Sequence, residues 1–389
     1  MFPHPSYSNA TNLLNDFIKN GLANYSKNRN FDNGPFNRTN VSKLSPYIKR
    51  RIISEKEVIL SCLKKFDKDF INKFIQEVFW RIYWKGWLEG RPKIWNNYKK
   101  ELDKYNVSLT SENFYKDYKK AINGKTNIKC FDEWVVELTK YGYLHNHTRM
   151  WFASIWIFTL NLPWELGANF FYRNLIDADA ASNTLSWRWV AGLHTPGKFY
   201  LARQDNIEKF SKFSFDNKSQ LKKNISTPSF INEEYVKPIF YNSKNDKIKF
   251  YLINSNNLLY KLDLLKSLYK TKVIYLDFFK NKVDSEIKLK FEENAITSYL
   301  EWLKNNKINV FEVTDSSELS EIISGQSKDI HTFYPCVGYE KDKINEICLQ
   351  HDLNIKYLFD PLDLECWSHA KSGFFKFKNN IDTFISKIQ

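Results

Sequence analysis

Residues 177–189 read DADAASNTLSWRW and place two acids, an Asn and two Trp in tight order. Asp177 and Asp179 are candidate metal ligands, but the further oxygen ligands that Ca²⁺ or Mg²⁺ needs are not evident. No nucleophile–base pair of the hydrolase type is evident along the chain either. The stretch therefore predicts a polar and aromatic site without a metal, whose purpose depends on the segments around it.

A second polar segment, residues 143–150, reads YLHNHTRM and leads straight into an apolar helix. The same run is also typical of a solvated helix start. By itself it does not distinguish a ligand site from a helix end.

A third segment places Glu77, Trp80 and Arg81 at positions i, i+3 and i+4, which share one helix face. A carboxylate, an indole and a guanidinium side by side are unusual for a core face. The alternative is an intrahelical salt bridge between Glu77 and Arg81 beside a packed Trp, which is common.

A fourth segment, NVSKLSP at residues 40–46, follows an aromatic and basic run, YSKNR at 25–29. Small hydroxyls, backbone N–H groups and a Lys just before a helix start suit a phosphate. The alternative is a plain helix cap, because Ser45 followed by Pro46 at the first helical position is good capping sequence.

The chain divides into two parts by its hydrophobic pattern. Apolar residues recur at helical spacing between residue 10 and about residue 212, and no convincing strand precedes residue 240. Residues 213–245 are polar and aperiodic, which is typical of a linker. We therefore predict a mostly α domain over residues 1–212, a linker over 213–245, and a second domain over 246–389.

The second part alternates strands with helices. Short β-branched and aromatic runs predict five strands, at residues 247–255, 272–279, 308–313, 329–335 and 354–360. An amphipathic helix is predicted from Glu292 to Asn305. This alternation predicts a smaller α/β domain with a mainly parallel sheet.

Composition narrows the class of partner. The 58 Lys and Arg residues exceed the 44 Asp and Glu residues and give a formal charge of +14, which favours nucleic acid first and a membrane surface second. The alternative is a general Lys excess without functional meaning. Aromatic residues make up 17% of the chain, and most of them are expected in the core, although such rings also stack on flat ligands.

The cysteines and the chain start indicate the compartment. Five Cys without a CxxC pair argue against a disulfide framework and against a zinc or iron–sulfur site. The first residues lack the basic start and apolar core of a signal peptide, and the most apolar stretch, residues 151–162, is too short to span a bilayer. We expect a cytoplasmic protein that does not enter membranes, and a monomer.

Together, the four segments resemble the helical FAD-binding domain of the photolyase/cryptochrome family. That family pattern is Thr/Ser-Arg/Lys-Leu-Ser-Pro, then Glu-x-x-Trp-Arg, then His-Asn-x-x-Arg-Met, then Asp-x-Asp-x-Ala-x-Asn-x-x-x-Trp-x-Trp. The resemblance covers about residues 15–210. It implies FAD as the cofactor and leaves a second, antenna chromophore unknown.

The resemblance also implies roles for single residues. The phosphate and ribityl loop corresponds to Tyr25, Ser42, Lys43, Leu44 and Ser45. The flavin lining corresponds to Arg81, Asn146, Arg149, Asp177, Asp179 and Asn183, with Arg149 paired to Asp177 and Asn183 facing flavin N5. Lys43 and Val41 depart from the commoner Arg and Thr, which puts one hydroxyl contact in question.

The implied function is that of a photolyase, a lyase that splits UV-induced pyrimidine dimers by electron transfer from excited, reduced FAD to a flipped-out lesion. UV-damaged DNA is the implied partner. The substrate pocket corresponds to Glu77, Trp80, Met150 and Trp189, and the catalytic positions are Glu77, Asn146, Met150 and Asn183. Asn146 after a single His favours cyclobutane dimers over (6-4) products, while a cryptochrome-like blue-light photoreceptor stays an alternative.

Two features depart from the family. Trp187 and Trp164 match the first two members of the family's electron relay, but the expected third position, near Ser111, has Phe114, Tyr115 and Tyr118 nearby instead. The FAD-binding part also precedes the α/β part, whereas typical members have the reverse order. The tail at residues 363–375 resembles a docking segment, and the α/β domain is expected either to cover the FAD domain or to carry a pigment.

Overall fold

The computed structural model describes residues 2–108, 112–215, 220–225, 233–243, 247–277, 283–323 and 327–389. Helices occupy the first part. They are α1 (Tyr7–Asn20), α2 (Tyr25–Asn28), α3 (Ser45–Lys49), α4 (Glu55–Leu63), α5 (Asn72–Glu89), α6 (Pro92–Ser108), α7 (Glu112–Ile122), α8 (Lys129–Tyr141), α9 (Asn146–Ser154), α10 (Trp164–Asn174), α11 (Ala180–Val190) and α12 (Gln204–Phe210).

The second part alternates strands and helices. They are β1 (Phe250–Leu252), α13 (Leu262–Leu268), β2 (Lys272–Leu276), α14 (Glu286–Asn305), β3 (Val310–Val313), α15 (Ser316–Ile323), β4 (Asp329–Phe333), α16 (Tyr339–Gln350), β5 (Asn354–Leu358), α17 (Pro361–Trp367), α18 (Phe374–Lys378) and α19 (Ile381–Ile388). The predicted class, a mostly α domain followed by a smaller α/β domain, is confirmed.

The sheet is parallel throughout, in the order β3-β2-β1-β4-β5. Each strand lies inside its predicted run. Successive strand residues face opposite sides: Tyr251 and Val273 join one buried cluster, while Phe250 and Ile274 join another. Because both faces are covered there, the central strands β1 and β2 are almost continuous apolar runs, as buried parallel strands usually are.

Local sequence explains several helix ends. Ser54 and Glu57 form a reciprocal capping box before α4, with the Ser54 side chain accepting from Glu57 N and the Glu57 carboxylate accepting from Ser54 N. Helix α17 starts with Asp360 as its cap and Pro361 at its first position. Helix α14 begins six residues before the predicted Glu292, because the amphipathic pattern continues through charged residues from Glu286.

The two parts share a hydrophobic core. One buried cluster contains side chains of α1, α4 and α5 together with side chains of the sheet and of the C-terminal helices. Helix α17 packs on α5 at Gly86, where an added Cβ would lie 2.4 Å from the Trp367 ring. Asp363 of α17 also forms a buried ion pair with Arg51. The tail at 363–375 is therefore packed against the helical part, while the predicted domain boundaries stay a prediction.

The structure bears on three sequence predictions, which concern disulfides, membrane-spanning helices and metal sites. All five cysteines are buried and unpaired. Among the described residues, no helix is long and apolar enough to cross a membrane. The same residues contain no group of three or more His, Cys, Asp or Glu side chains that could hold a metal ion.

Candidate flavin and substrate site

A large cavity lies in the helical part, enclosed by α5, α9, α10 and α11. Its volume is about 480 Å³ and it opens to solvent. Ligand pockets commonly measure roughly 300–1,000 Å³, so this cavity is within the size range of a ligand site. Most of the predicted site residues line it: Glu77, Trp80, Arg81, Asn146, Arg149, Met150, Asp177, Asp179, Asn183, Trp187 and Trp189.

Helix α5 brings Glu77, Trp80 and Arg81 to the cavity on one face, as their spacing predicts. Glu77 pairs with Arg29, which comes from the end of α2. Arg81 pairs instead with Asp179, with 3.0 Å between its Nη1 and the Asp179 carboxylate. The alternative of an intrahelical Glu77–Arg81 salt bridge is therefore wrong.

Asp179 has two structural tasks. It caps α11, because its carboxylate accepts from the backbone N–H of Ser182 at 2.8 Å. It also faces Arg81, which lies 3.7 Å from Glu55 on the other side. Burial alone would raise the pKa of Asp179, but Arg81, Lys85 and the Ser182 hydrogen bonds hold it below its ordinary value. Asp179 is therefore ionised at neutral pH.

Asp177 joins the loop at residues 40–46 to α9. Its Oδ2 accepts a hydrogen bond from the Ser45 hydroxyl at 2.6 Å and another from Arg149 Nη2 at 2.9 Å. The Arg149–Asp177 pair that the resemblance implied is thus present. The capping alternative for Ser45 is wrong, because Leu44 is the residue that precedes α3 and the Ser45 hydroxyl is spent on Asp177.

The rest of that loop lies beside the cavity. Lys43 has φ of 53°, a conformation that turns the chain sharply, and the Ser42 hydroxyl accepts from Leu44 N at 3.4 Å. Tyr25 packs edge-on against Phe74 of α5. Tyr25 and the loop residues Ser42, Lys43, Leu44 and Ser45 are not among the cavity-lining residues in the described part of the chain.

Helix α9 supplies two further side chains. Asn146 is exposed at the start of the helix and lines the cavity, and Met150 follows one turn later. His145 caps the helix: its Nδ1 accepts from His147 N at 3.2 Å, and its Nε2 lies 3.1 Å from the Arg29 carbonyl. Burial lowers the pKa of His145 to about 4, so it is neutral at physiological pH. The polar run is therefore a helix start that also presents ligand-facing side chains.

Helix α11 carries Asn183, Trp187 and Trp189 along the cavity wall. Asn183 Nδ2 donates to the Ala168 carbonyl of α10 at 2.8 Å, which fixes its side chain at the wall. The Trp189 ring is partly buried and stacks on Tyr200 with 5.7 Å between ring centroids.

The predicted relay residues do not form a ring contact with each other. Trp187 contacts Trp156 with 6.3 Å between centroids, and Trp156 in turn contacts Tyr118 at 6.1 Å. Trp164 stacks instead on Tyr98 at 5.6 Å. Sequence reasoning missed Trp156, which lies in the apolar run before Pro163 and has no polar neighbour to single it out. Ser111 and the side chain of Phe114 lie outside the described residues.

The mouth of the cavity contains residues from the far end of the chain. Phe374 of α18 stacks on Trp80, with 3.6 Å between ring centroids and 12° between planes. The next residue, Phe375, lines the cavity and is 79% exposed. Trp84, one turn after Trp80, completes this side. The predicted docking character of residues 363–375 gave the only signal for these contacts.

The polar atoms of the cavity suit a ligand rich in hydrogen-bonding groups. Among the described residues, Arg81 Nη2 and Asp177 Oδ1 are buried without a hydrogen-bond partner. Leaving such atoms unpaired is costly, roughly 1–3 kcal/mol each, so a ligand with matching polar groups would recover that free energy on binding. A dinucleotide with a planar ring system, hydroxyls and phosphates fits a cavity with both polar and aromatic walls.

Comparison with known proteins gives a consistent result. Residues 74–247 match the family model described as the FAD binding domain of DNA photolyase. A deoxyribodipyrimidine photo-lyase of Alkalihalophilus pseudofirmus is 26% identical over 62% of this chain and 49% of that protein. The photo-lyase of Agrobacterium fabrum is 30% identical over 48% of this chain and 38% of that protein. Cryptochrome-1 of Arabidopsis thaliana is 27% identical over 54% of this chain and 31% of that protein.

Two solved structures are also similar. A bacterial class III photolyase from Agrobacterium tumefaciens has a TM-score of 0.45 and 28% identity, covering 53% of this chain and 42% of that chain. A Synechocystis cryptochrome has a TM-score of 0.43 and 21% identity, covering 54% and 45% of the two chains. The chain spans about half or less of the length of the curated relatives it matches.

The matched residues include α5 and α9–α11, the helices that enclose the cavity. The four sequence motifs stand in the family's order, and those on these helices meet at the cavity wall. The chain therefore contains a region similar to the FAD binding domain of DNA photolyase, with FAD as its cofactor.

Proposed function

We propose that the protein is a light-dependent DNA photolyase that splits cyclobutane pyrimidine dimers. One observation carries the proposal: the predicted substrate residues Glu77, Trp80, Met150 and Trp189 line the same cavity as the predicted flavin residues. Electron transfer between a flavin and a lesion requires both to occupy one space. Several relatives are named deoxyribodipyrimidine photo-lyase, which supports the same reading.

The cavity walls provide what an extruded dinucleotide needs. Trp80 and Trp189 offer aromatic surfaces at the wall for bases taken out of the duplex. The Glu77 carboxylate is 35% exposed, so its free oxygen is available to the polar edge of a base. Asn146 is exposed at the cavity wall, where its amide adds two donors and an acceptor.

FAD, when bound and reduced, supplies the excited-state electron that opens the dimer and accepts it back. Asp177 and Asp179, each paired with an Arg, would hold it. Asn183, tied to Ala168, keeps an amide at the wall. Helices α10 and α11 close the inner side of the cavity with buried aromatic residues.

The charge of the chain supports a nucleic-acid partner. A formal charge of +14 attracts the phosphate backbone, and each duplex phosphate contact contributes about −0.9 to the slope of log K against log salt concentration. We propose UV-damaged DNA as the partner. A cytoplasmic location and a monomeric state stay predictions.

A cryptochrome-like photoreceptor is the second candidate, because Cryptochrome-1 and Cryptochrome-2 of Arabidopsis thaliana also match the chain. The ring contacts of Trp187 favour neither function. In both cases we propose that electrons reach the flavin through Trp187, with Trp156 and Tyr118 as a route toward the surface. A (6-4) photolyase is the third candidate.

Repair of a defined oligonucleotide tests the proposal. FAD-loaded, reduced protein should remove a single cyclobutane dimer in blue light and not in darkness. Glu77→Ala and Trp80→Ala should lower dimer affinity at least roughly ten-fold, by the loss of one charged hydrogen bond or one stacked base, and leave FAD bound. Phe36→Ala, an exposed aromatic remote from the cavity lining, is the matched control.

Light-dependent loss of the dimer would establish the enzyme. Repair of a (6-4) product alone would transfer the proposal to the third candidate. Bound and reducible FAD without repair of either lesion would contradict the enzyme and favour the photoreceptor.

A further inference from the structure

An exposed aromatic ring stands at the rim of the cavity. Phe375 is 79% exposed, yet it is one of the cavity-lining residues. A lone exposed Phe is ordinary on a protein surface and needs no explanation. Phe375, however, stands at the entrance to the cavity, so its ring offers a surface on which a further ring can stack.

The position of Phe375 is fixed although its ring is free. Phe374 and Phe377 on either side are buried, and Phe374 stacks face to face on Trp80. The Ser372 carbonyl accepts from the Tyr83 hydroxyl at 2.8 Å. The Lys371 carbonyl accepts from Arg91 Nη2, also at 2.8 Å. A ring held in place by its neighbours loses little conformational entropy when a ligand stacks on it.

The surroundings of Phe375 are basic. Residues 371–378 read KSGFFKFK, with three Lys and no acid. Lys371 and Lys376 are exposed on either side of the ring. An aromatic ring flanked by cations is the combination with which proteins bind unpaired nucleic acid, since the ring takes a base and the cations take phosphates.

We propose that Phe375 stacks on a DNA base next to the nucleotides that enter the cavity, with Lys371 and Lys376 near the adjoining phosphates. The inference rests on the proposed function, and adds to it a binding residue from outside the FAD-binding part. Flipping two nucleotides breaks the stack on both sides of the gap. Phe375 at the rim replaces the lost stacking partner of one neighbouring base.

The test uses the full-length, FAD-loaded protein in darkness. A labelled duplex with one cyclobutane dimer is titrated and compared with the same duplex undamaged. We expect Phe375→Ala to weaken binding of the damaged duplex roughly five-fold to 100-fold, the range for loss of one stacked base. Phe375→Trp should keep wild-type affinity. The control Phe36→Ala removes a ring that is 71% exposed and should change nothing.

A second readout reports stacking directly. With 2-aminopurine beside the dimer, wild type should quench the fluorescence of that base on binding, and Phe375→Ala should quench it less. Unchanged affinity and unchanged quenching in Phe375→Ala, while wild type prefers damaged DNA, would overturn this inference and leave the proposed function intact. Wild-type protein that binds both duplexes equally, or neither, would overturn both.

Discussion

The large cavity of the helical part and the crevice of the sheet are two concave regions of the molecule. The cavity is open, whereas the crevice is filled. The cavity is about 480 Å³ and keeps buried polar atoms of Arg81 and Asp177 without partners. The crevice lies where the strand order reverses between β1 and β4, the place at which open α/β sheets commonly bind ligands. Here it is filled by the helical part of the same chain.

Contacts between the helical part and the sheet show how the crevice is filled. Two small cavities of about 30 Å³ each remain there, and the first is lined by Lys49, Arg51 and Lys85 from the helical part. Arg50 reaches Glu292 of α14 at 3.1 Å, and Arg51 pairs with Asp363. Charged side chains in the crevice are thus paired with oppositely charged side chains of the same chain. Where a fold usually binds ligands, this one has an internal interface, and the open polar atoms lie elsewhere.

The largest expected effect comes from a substitution at the open cavity. Asp179→Ala removes the cap of α11 and one of two acids beside Arg81, so we expect the free energy of unfolding to fall by about 3–5 kcal/mol. Flavin should also be lost on gel filtration, measured by the ratio of 450 nm to 280 nm absorbance. Asp179→Asn keeps the cap and should recover about 1 kcal/mol. Full flavin content in Asp179→Ala would contradict the assigned role.

The next effect tests the filled side through pH. Burial opposes ionisation of Glu292, but Lys49, Arg50 and Lys288 outweigh it and lower its pKa from 4.5 to about 2. Since the folded pKa is the lower one, the stabilisation is complete above about pH 4.5 and is lost as pH falls toward 2. The shift corresponds to about 3 kcal/mol.

Glu292→Gln should therefore lose up to about 3 kcal/mol at pH 7 and show a flatter decline of stability between pH 5 and pH 3. Urea unfolding at several pH values measures both. Glu293→Gln, the adjacent acid on α14, is the control. An unchanged slope in Glu292→Gln would show that another carboxylate with a lowered pKa, such as Glu55 or Asp360, carries the acid sensitivity.

The smallest effect tests the contact between the two regions. Gly338, before α16, has φ of 152°, and a Cβ there would lie 2.7 Å from the Cβ of Ala180, the first residue of α11. Gly338→Ala should cost about 1–3 kcal/mol through backbone strain and this clash. The resulting push on α11 should also weaken flavin binding.

Gly373→Ala is the matched control, because nothing lies within 4 Å of its added Cβ. Thermal unfolding with and without added FAD compares the two variants. Equal melting temperatures for Gly338→Ala and wild type would show that the sheet and α11 are not tightly coupled.

Local patterns were sufficient for the fold class and for most of the cavity wall. The five strands lie inside their predicted runs, because short β-branched stretches between turn residues have few other solutions. Glu77, Trp80 and Arg81 share a face because helix geometry fixes the i, i+3 and i+4 relation. These inferences needed only neighbours along the chain.

The sequence did not predict which distant residues pair with each other. Glu77 pairs with Arg29 rather than Arg81, and Ser45 bonds Asp177 rather than capping its helix. Both alternatives were locally sound, but the partner that a carboxylate takes depends on which donors packing brings within reach. Trp156 was missed for the same reason, since nothing next to it in sequence shows that Trp187 lies beside it.

The sequence by itself determined a helical FAD-binding part followed by a parallel α/β part, because motif spacing and hydrophobic period are properties of short segments. Only the tertiary structure decided that the sheet's crevice is closed by Arg50 and Arg51 and that Phe374 and Phe375 stand at the cavity mouth. Such contacts join residues hundreds of positions apart, and they form because a shared core places α17 and α18 on α5.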